Sequence, residues 1–386
     1  MKRIPITCLL LGMMLATAPV FAAFDSGSDG SMGDLVISND LTLLLPPDGI
    51  FKYGSVRITS TGRLRFITNA LNTPVYLLAT NDVLIESGGY IDISGENSLG
   101  KLPGAGGPGG FAGGYGAMDG KPPGDGQGPG GGKFNPARST DWVGGVFAVP
   151  HRAGENTNVY GNALLVPLIG GSGGSGRADG LGGPGGGGAI LIASNTRITI
   201  NGNGAIGAGA IFCYSQGYSG SAGAIRVVAP VVTGSGRLNA YTGYEDDGRA
   251  LYGGVGRVRI DSLDRHSHIN VTTKGLTTRG AQMIVFPTNS PRLDILAAAG
   301  TTIAEGTPGE VLVTLPVGAS TNQIVRVQGR NFTDAVPITV AVIPENGSSA
   351  RFDDVIPPGA GGSPTTKDVQ VTLPVDVVTR IQVWSR

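Results

Sequence analysis

Two groups of side chains have residue types and spacing that could do chemistry. His266 and His268 are two residues apart, so a strand would place both imidazoles on one face, as metal binding permits. Glu245, Asp246 and Asp247 follow a strand-like segment and could coordinate calcium together with backbone carbonyls. Neither group has a further ligand at a diagnostic spacing, so a solvated polar face and an acidic turn are the preferred interpretations. We assign no catalytic, cofactor-binding or metal-ligating residue, and calcium is the one ion that the acidic group would suit.

Cleavage chemistry has little support in the sequence. Enzymes that cut acidic polysaccharides use grouped carboxylates, or carboxylates with Arg and Lys. Asp246 and Asp247 are adjacent, but neither a Gly-His-Gly nor an Arg-x-Lys sequence accompanies them. Cys213 lies among apolar and aromatic residues, which favours a buried small hydrophobe over a catalytic thiol. The sequence has no nucleophile elbow, phosphate loop or zinc signature, and these observations favour a protein that is not an enzyme.

Residues 1–22 have the composition of a signal peptide. Lys2 and Arg3 form its charged start, an apolar run follows, and we expect cleavage after Ala22. The run is too short to be a membrane span, and we expect no transmembrane anchor after it. Removal of Lys2 and Arg3 from the 28 basic residues leaves 26 against 28 acidic ones, so bulk charge does not favour nucleic acid as a partner. We expect an exported bacterial protein of the periplasm, the cell surface or the extracellular space.

Residues 75–95, 189–209 and 224–243 resemble one another. Each begins with an apolar run, continues with a second strand-like segment and ends with a short third one before glycine. A unit of about twenty residues is typical of solenoids, whose units bury their apolar faces only by stacking. Helix signals are nearly absent. We therefore predict an all-β chain with a right-handed parallel β-helix over residues 23–290, in which residues 75–95 and 189–209 form neighbouring coils.

A Gly- and Pro-rich insertion at about residues 96–188 separates the first two repeats. The chain has 67 glycines in 386 residues, about 17%, against a typical usage near 7%. The insertion lacks the strict three-residue period of collagen, and its aromatic residues are unusual for a flexible linker. Glycine-rich tracts can pack side by side as polyproline-II strands, because no side chain blocks the approach of the backbones. We therefore prefer an ordered flap on the β-helix to a disordered insertion.

The composition changes after residue 290. Glycine becomes rarer, and alternating Val- and Thr-rich segments are separated by turns. These segments are residues 310–316, 323–328, 337–343, 368–373 and 380–384. Strands at this spacing predict a small antiparallel β-sandwich over residues 291–386.

The order of these segments resembles that of a group of glycine-rich exported proteins of environmental bacteria, which are generally uncharacterised. The resemblance is carried by the repeat at Val75, the Gly/Pro-rich insertion and the runs 185–194, 223–229 and 253–260, within residues 23–271. It implies a β-helical surface or secreted protein and no catalytic residue. The C-terminal part resembles immunoglobulin-like bacterial surface modules in general features only.

We interpret the chain as a non-catalytic structural or adhesive protein of the bacterial surface or extracellular matrix, which binds glycans, other surface polymers or copies of itself. Exposed tyrosines, backbone and small residues suit such contacts. The candidate surface or ligand contacts are Tyr115, Trp142, Tyr160 and Tyr244. The alternative is a β-helical lyase or hydrolase acting on polysaccharides, whose carboxylates converge from separate coils. Ice or mineral binding by threonine faces is a third interpretation, which the irregular threonine spacing disfavours.

Overall fold

A computed structural model describes residues 24–138, 143–149, 156–210, 220–242, 254–307 and 309–385. These residues form 24 strands, with short 3-10 turns at Pro136–Arg138 and Ala360–Gly362 and no α-helix. The strands up to residue 280 form three parallel sheets, and the strands that follow form two antiparallel sheets. The described chain is therefore all-β, as predicted.

The three parallel sheets run side by side. Sheet A has the strand order β1 (Leu35–Ile37), β4 (Val56–Ile58), β7 (Val83–Ile85), β10 (Arg197–Ile200) and β13 (Val231–Gly234). Sheet B has the order β2 (Asp40–Leu44), β5 (Arg63–Ile67), β8 (Tyr90–Asp92), β11 (Ala205–Gly207), β14 (Arg237–Asn239) and β16 (Thr272–Lys274). Sheet C has the order β3 (Ile50–Tyr53), β6 (Val75–Ala79), β9 (Ala189–Ser194), β12 (Ala224–Ala229), β15 (Arg257–Ser262) and β17 (Leu276–Gly280).

One strand from each parallel sheet makes one coil, because the chain passes from sheet A to sheet B to sheet C and then returns to sheet A one strand further on. The repeats found in the sequence occupy neighbouring coils. Val75 of β6 pairs with Ile190 of β9, although more than one hundred residues separate them. Tyr90 of β8 pairs with Ala205 of β11 in the same way. The predicted adjacency of the two repeats is confirmed, and the parallel sheets form a β-helix-like stack of coils.

Alternation of side chains along each short strand fills the interior of the coils. In sheet B one column of inward side chains comes from four successive strands and is fully buried: Leu64, Ile91, Ile206 and Leu238. Their neighbours in sequence point to the outer face of the sheet. A single apolar core therefore runs through the stack and joins all three parallel sheets.

The insertion leaves the third coil after β8 and returns at β9, and its described residues form a bundle of extended segments, here called the glycine bundle. Hydrogen bonds between these segments recur every third residue, whereas those of a β-ladder recur every second one. The amides of residues 111, 114 and 117 donate to the carbonyls of residues 171, 174 and 177, at 2.9 to 3.0 Å. A period of three is that of the polyproline-II helix. The described part of the insertion thus has a regular, hydrogen-bonded structure.

Residues 170–177 form the central segment of the glycine bundle. Its backbone is hydrogen bonded to six other segments, at residues 109–117, 124–127, 132, 143, 184–187 and 221. A Cβ atom on Gly173 would overlap the carbonyl oxygen of Ala112, and one on Gly176 would overlap that of Tyr115. These glycine positions therefore have no room for a side chain, which explains why the insertion is so rich in glycine, whereas the small side chains of Ser172 and Ser175 are buried and accept hydrogen bonds from backbone amides.

The two antiparallel sheets follow the stack of coils. Sheet D has the order β19 (Thr301–Thr302), β18 (Arg292–Ala298), β20 (Asn322–Arg330) and β23 (Thr365–Thr372), and sheet E has the order β22 (Ala350–Ile356), β21 (Val336–Pro344) and β24 (Thr379–Ser385). Buried residues of both sheets, such as Val325 of β20 and Val340 of β21, belong to one hydrophobic cluster. The strand predicted at residues 310–316 is wrong. The segment pairs with no neighbouring strand among the described residues, although Leu315 packs against this cluster, and Leu312 is 90% exposed.

The glycine bundle contacts both the coils and the C-terminal sheets. Phe147 and Tyr160, whose ring centres are 4.7 Å apart, cover the outer face of sheet C. On another side Phe111 packs edge-on against Trp384 of β24 at 6.0 Å, and Arg351 of β22 donates from Nη2 to the carbonyl of Gly126 at 2.9 Å. We expect from the sequence a flap on the β-helix. It also contacts sheet E, because β21 and β24 present a second apolar face there.

Substitution of a central glycine tests this packing. Gly173→Ala should lower the free energy of unfolding by about 1–3 kcal/mol, because the added methyl group forces apart hydrogen-bonded segments. Gly309→Ala is the matched control, since its Cβ would meet nothing within 4 Å and its φ is not positive. That control should change stability by less than about 0.5 kcal/mol. Denaturant titrations followed by intrinsic fluorescence would measure both, and equal effects would contradict the close packing of the bundle.

Candidate functional site

Three turns lie together at the end of the glycine bundle that is remote from the coils. They are residues 99–102, 118–121 and 177–181, here called the tip turns. Residues 182–188, at about 3.1 Å per residue, extend roughly 20 Å from the tip turns to β9. The bundle thus separates these turns from the surface of sheet C.

Backbone hydrogen bonds hold each tip turn and connect it to the others. Leu99 and Leu102 form an antiparallel bridge, as do Met118 and Lys121. The amide of Gly116 donates to the carbonyl of Lys101 at 2.9 Å. Two further bonds, from Ala117 to Arg177 and from Gly182 to Gly100, measure 3.0 and 2.8 Å. Gly100, Gly120 and Gly180 have positive φ angles, so glycine suits these turning points.

The tip turns expose three leucines. Leu99 is 79% exposed, Leu102 53% and Leu181 38%. Leu181 lies beside the first turn, because the backbone of its neighbour Gly182 touches residues 100 and 102. Large exposed apolar side chains that cluster on a rigid support are typical of binding surfaces, whereas single ones are common on any protein. We take the tip turns as the candidate functional site.

Charged groups beside the tip are mostly engaged with one another. The guanidinium of Arg177 pairs with Asp179 within the third turn. Lys121 lies 3.8 Å from Asp376, and this ion pair is largely exposed, so it contributes little to stability. Tyr115 is half-buried nearby, and its pKa is raised by burial and by the carboxylate of Glu345. The site therefore has exposed leucines at its centre and charged groups of both signs around them.

Of the four residues proposed from sequence as surface contacts, the structure describes Tyr115 and Tyr160. Tyr115 lies beside the tip and keeps part of its surface. Tyr160 is buried instead, which makes it unsuitable as a surface contact, since its hydroxyl donates to the carbonyl of Gly170 at 2.6 Å. Burial also raises the pKa of Tyr160. Trp142 and Tyr244 lie outside the described residues.

Of the two candidate metal-binding groups, the structure describes the histidine pair. His266 and His268 lie in a turn between β15 and β16, not on a strand, because Asp264 accepts the amide of His266 at 2.9 Å. His266 is exposed, whereas His268 is buried and burial lowers its pKa. The two imidazoles therefore do not share a face. Cys213 and the acidic group 245–247 lie outside the described residues.

A buried ion cluster on the outer face of sheet C was not recognised in the sequence. Asp261 of β15 accepts five hydrogen bonds of 2.7 to 3.1 Å from the guanidiniums of Arg226 and Arg259 and from the amide of Gln282. Arg226 and Asp261 are fully buried. Burial lowers the pKa of Arg226, whereas the charge of Asp261 opposes that change. Both Asp261 oxygens are saturated with donors, so this carboxylate is arranged as an anchor and not as a general base.

The ion cluster attaches the insertion to the coils. Arg259 Nη1 lies 3.5 Å from the carbonyl of Ala163, and Thr278 Oγ1 donates to the same carbonyl at 2.7 Å. Arg257 Nη2 donates to the carbonyl of Tyr160 at 3.1 Å. The alternation of charged and apolar residues in β12 and β15 could have shown which face carries these charges. Only the fold shows that the insertion covers them.

Comparisons with known proteins gave no match. No protein-family model matches the chain, and neither the curated proteins nor the solved structures include a significant similarity to it. Among the described residues no group of three or more His, Cys, Asp or Glu side chains is placed to hold a metal ion. The described part of the chain also contains no helix with the length and apolar character needed to traverse a bilayer.

Loss of the buried carboxylate should be costly. Asp261→Asn should lower the free energy of unfolding by about 3–5 kcal/mol, because two buried guanidiniums would then lack their counter-charge. Asp368→Asn is the matched control, since Asp368 makes a bidentate pair with Arg326 on an exposed surface. That change should cost about 1 kcal/mol or less. Urea titrations would compare the two variants, and a loss at Asp261 no larger than that at Asp368 would contradict the anchoring role.

Proposed function

We propose that this protein is an exported, non-catalytic adhesive or structural protein of the bacterial cell surface or extracellular matrix, and that the tip turns of the glycine bundle are its binding surface. The signal-peptide composition of residues 1–22 supports export. The single observation that carries the proposal is the cluster of exposed leucines on an ordered, hydrogen-bonded support.

The proposed architecture is a right-handed β-helix followed by a small β-sandwich. Right-handed crossovers are nearly universal between parallel strands of one sheet, which favours this hand. The single hydrophobic cluster that contains residues of both antiparallel sheets supports the sandwich. In this proposal the coils are a stable base, and the sandwich supports the bundle through the contact of Phe111 with Trp384.

The energetics of the tip favour a docking role. Burial of apolar surface contributes about 25 cal/mol for each Å², so three clustered leucines can add several kcal/mol of contact energy. A rigid support adds to this, because the turns are already ordered and lose little conformational entropy on binding. The saturation of Asp261 by donors means that the one fully buried carboxylate on sheet C does not support the alternative function of polysaccharide cleavage.

Replacement of the tip leucines tests the proposal. The triple variant Leu99→Ser, Leu102→Ser and Leu181→Ser should reduce retention of the labelled mature protein on cells of the source bacterium that lack the gene. The loss should be at least about tenfold, equivalent to 1.4 kcal/mol of binding free energy.

The control variant carries Leu312→Ser and Val317→Ser, which replace two exposed apolar residues near the antiparallel sheets. Its retention should equal that of the unmodified protein, and circular dichroism should show that both variants are folded. Equal retention of the tip variant and the control would refute the tip as the adhesive surface. Release of reducing ends from cell-surface polysaccharides would favour the enzymatic alternative.

A further inference from the structure

The outer face of sheet B is distinct from the tip and carries two aligned rows of polar side chains. The first row contains Asp40, Arg63, Tyr90, Ala205, Arg237 and Thr272, from successive coils. The second row contains Thr42, Arg65, Asp92, Gly207, Asn239 and Lys274. Because adjacent coils are about 4.8 Å apart, each row forms a regular ladder along the stack.

The charge of this face is positive. Its two rows contain four cations against the carboxylates of Asp40 and Asp92, although the mature chain has a small negative balance. Arg65 lies 3.4 Å from Asp92, so that pair is largely neutralised. The guanidinium of Arg63 lies 5.1 Å from the ring centre of Tyr90, and Arg237 Nη2 donates to the amide oxygen of Asn203 at 3.4 Å. These two contacts hold the arginines in place without cancelling their charges.

The fourth coil lacks long outward side chains in the middle of the face. Its outward residues are Ala205 and Gly207, which have the shortest side chains of the two rows. The phenol of Tyr90 lies across Gly207, where a Cβ atom would collide with its hydroxyl. An aromatic ring thus covers the fourth coil, with Arg63 two coils before Ala205 and Arg237 one coil after it. The two arginines are three coils apart, or about 14 Å.

We propose that this face binds an acidic polysaccharide that runs along the stack of coils. The inference deepens the proposed adhesive function by naming a ligand class for a second surface, and it rests on that function. The planar guanidiniums of Arg63 and Arg237 match carboxylate or sulfate groups, and the ring of Tyr90 suits the apolar face of a sugar. A ligand of low charge density fits better than nucleic acid, because the four cations of the two rows are offset by Asp40 and Asp92 to a net charge of only +2.

Binding of polygalacturonate to the mature protein, measured by isothermal titration calorimetry, tests the assignment. We expect binding that weakens with added salt and no binding of the neutral polymer dextran. The double variant Arg63→Gln and Arg237→Gln should lose at least about tenfold in affinity for polygalacturonate. The matched control is Arg326→Gln with Arg380→Gln, which removes the same charge from exposed positions in the C-terminal sheets and should bind normally.

Several results would overturn the assignment. They are an absence of polygalacturonate binding, an unchanged affinity in the Arg63/Arg237 variant, and tighter binding to a single-stranded oligonucleotide or to anionic phospholipid vesicles. The tip variant with three serines should bind polygalacturonate normally, because the tip turns and sheet B are separate surfaces. Cell retention that depends on the tip leucines without polygalacturonate binding would leave the adhesive function standing and refute this inference alone. Polygalacturonate binding that depends on Arg63 and Arg237, with no effect of the tip leucines on cell retention, would leave this inference standing. It would refute the tip turns as the adhesive surface.

Discussion

The architecture depends on how closely the backbones of the insertion approach one another. Segments such as residues 170–177 and 182–188 exchange hydrogen bonds in several directions, which requires that no side chain is present at their glycine positions. The three-residue period of the polyproline-II conformation turns successive amides toward different neighbours, so one segment can bond to six others. A region whose composition is typical of a linker thereby becomes a support for the tip turns.

The glycine bundle changes the surroundings of the sheet that it covers. Phe147 and Tyr160 cover sheet C, so its central strands β9 and β12 are buried on both faces, although Arg226 of β12 is charged. Arg226 and Arg259 both donate to Asp261, and Arg259 also contacts the insertion, so the arrangement is an anchor. Sheet B has no such cover among the described residues of its outward rows, where Arg65, Arg237 and Lys274 are exposed. The same stack of coils therefore has one face that the insertion covers and another with exposed charged side chains.

Repeated local patterns in the sequence predicted which segments form similar, stacked coils. The similar segments at Val75 and Ala189 predicted adjacent coils, because parallel stacking repeats the same inward side chains. Sequence patterns failed to predict strands and contacts that depend on a distant segment of the chain. The segment 310–316 alternates like a strand but has no partner, whereas β22, with Asp353 and Asp354, is a strand because β21 pairs with it. Likewise, Leu181 is far from Leu99 and Leu102 in sequence, and only the bundle brings the turns that carry them together.

Native-state amide hydrogen exchange of the mature protein, followed by mass spectrometry of peptides, tests the central claim most directly. The account predicts that peptides covering residues 104–117 and 170–188 exchange about as slowly as β9, because their amides are bonded within the bundle and open only with it. Exchange of these peptides at the rate of an unfolded chain, while β9 stays protected, would contradict the account. The insertion would then be a flexible linker, and the tip turns would have no fixed support.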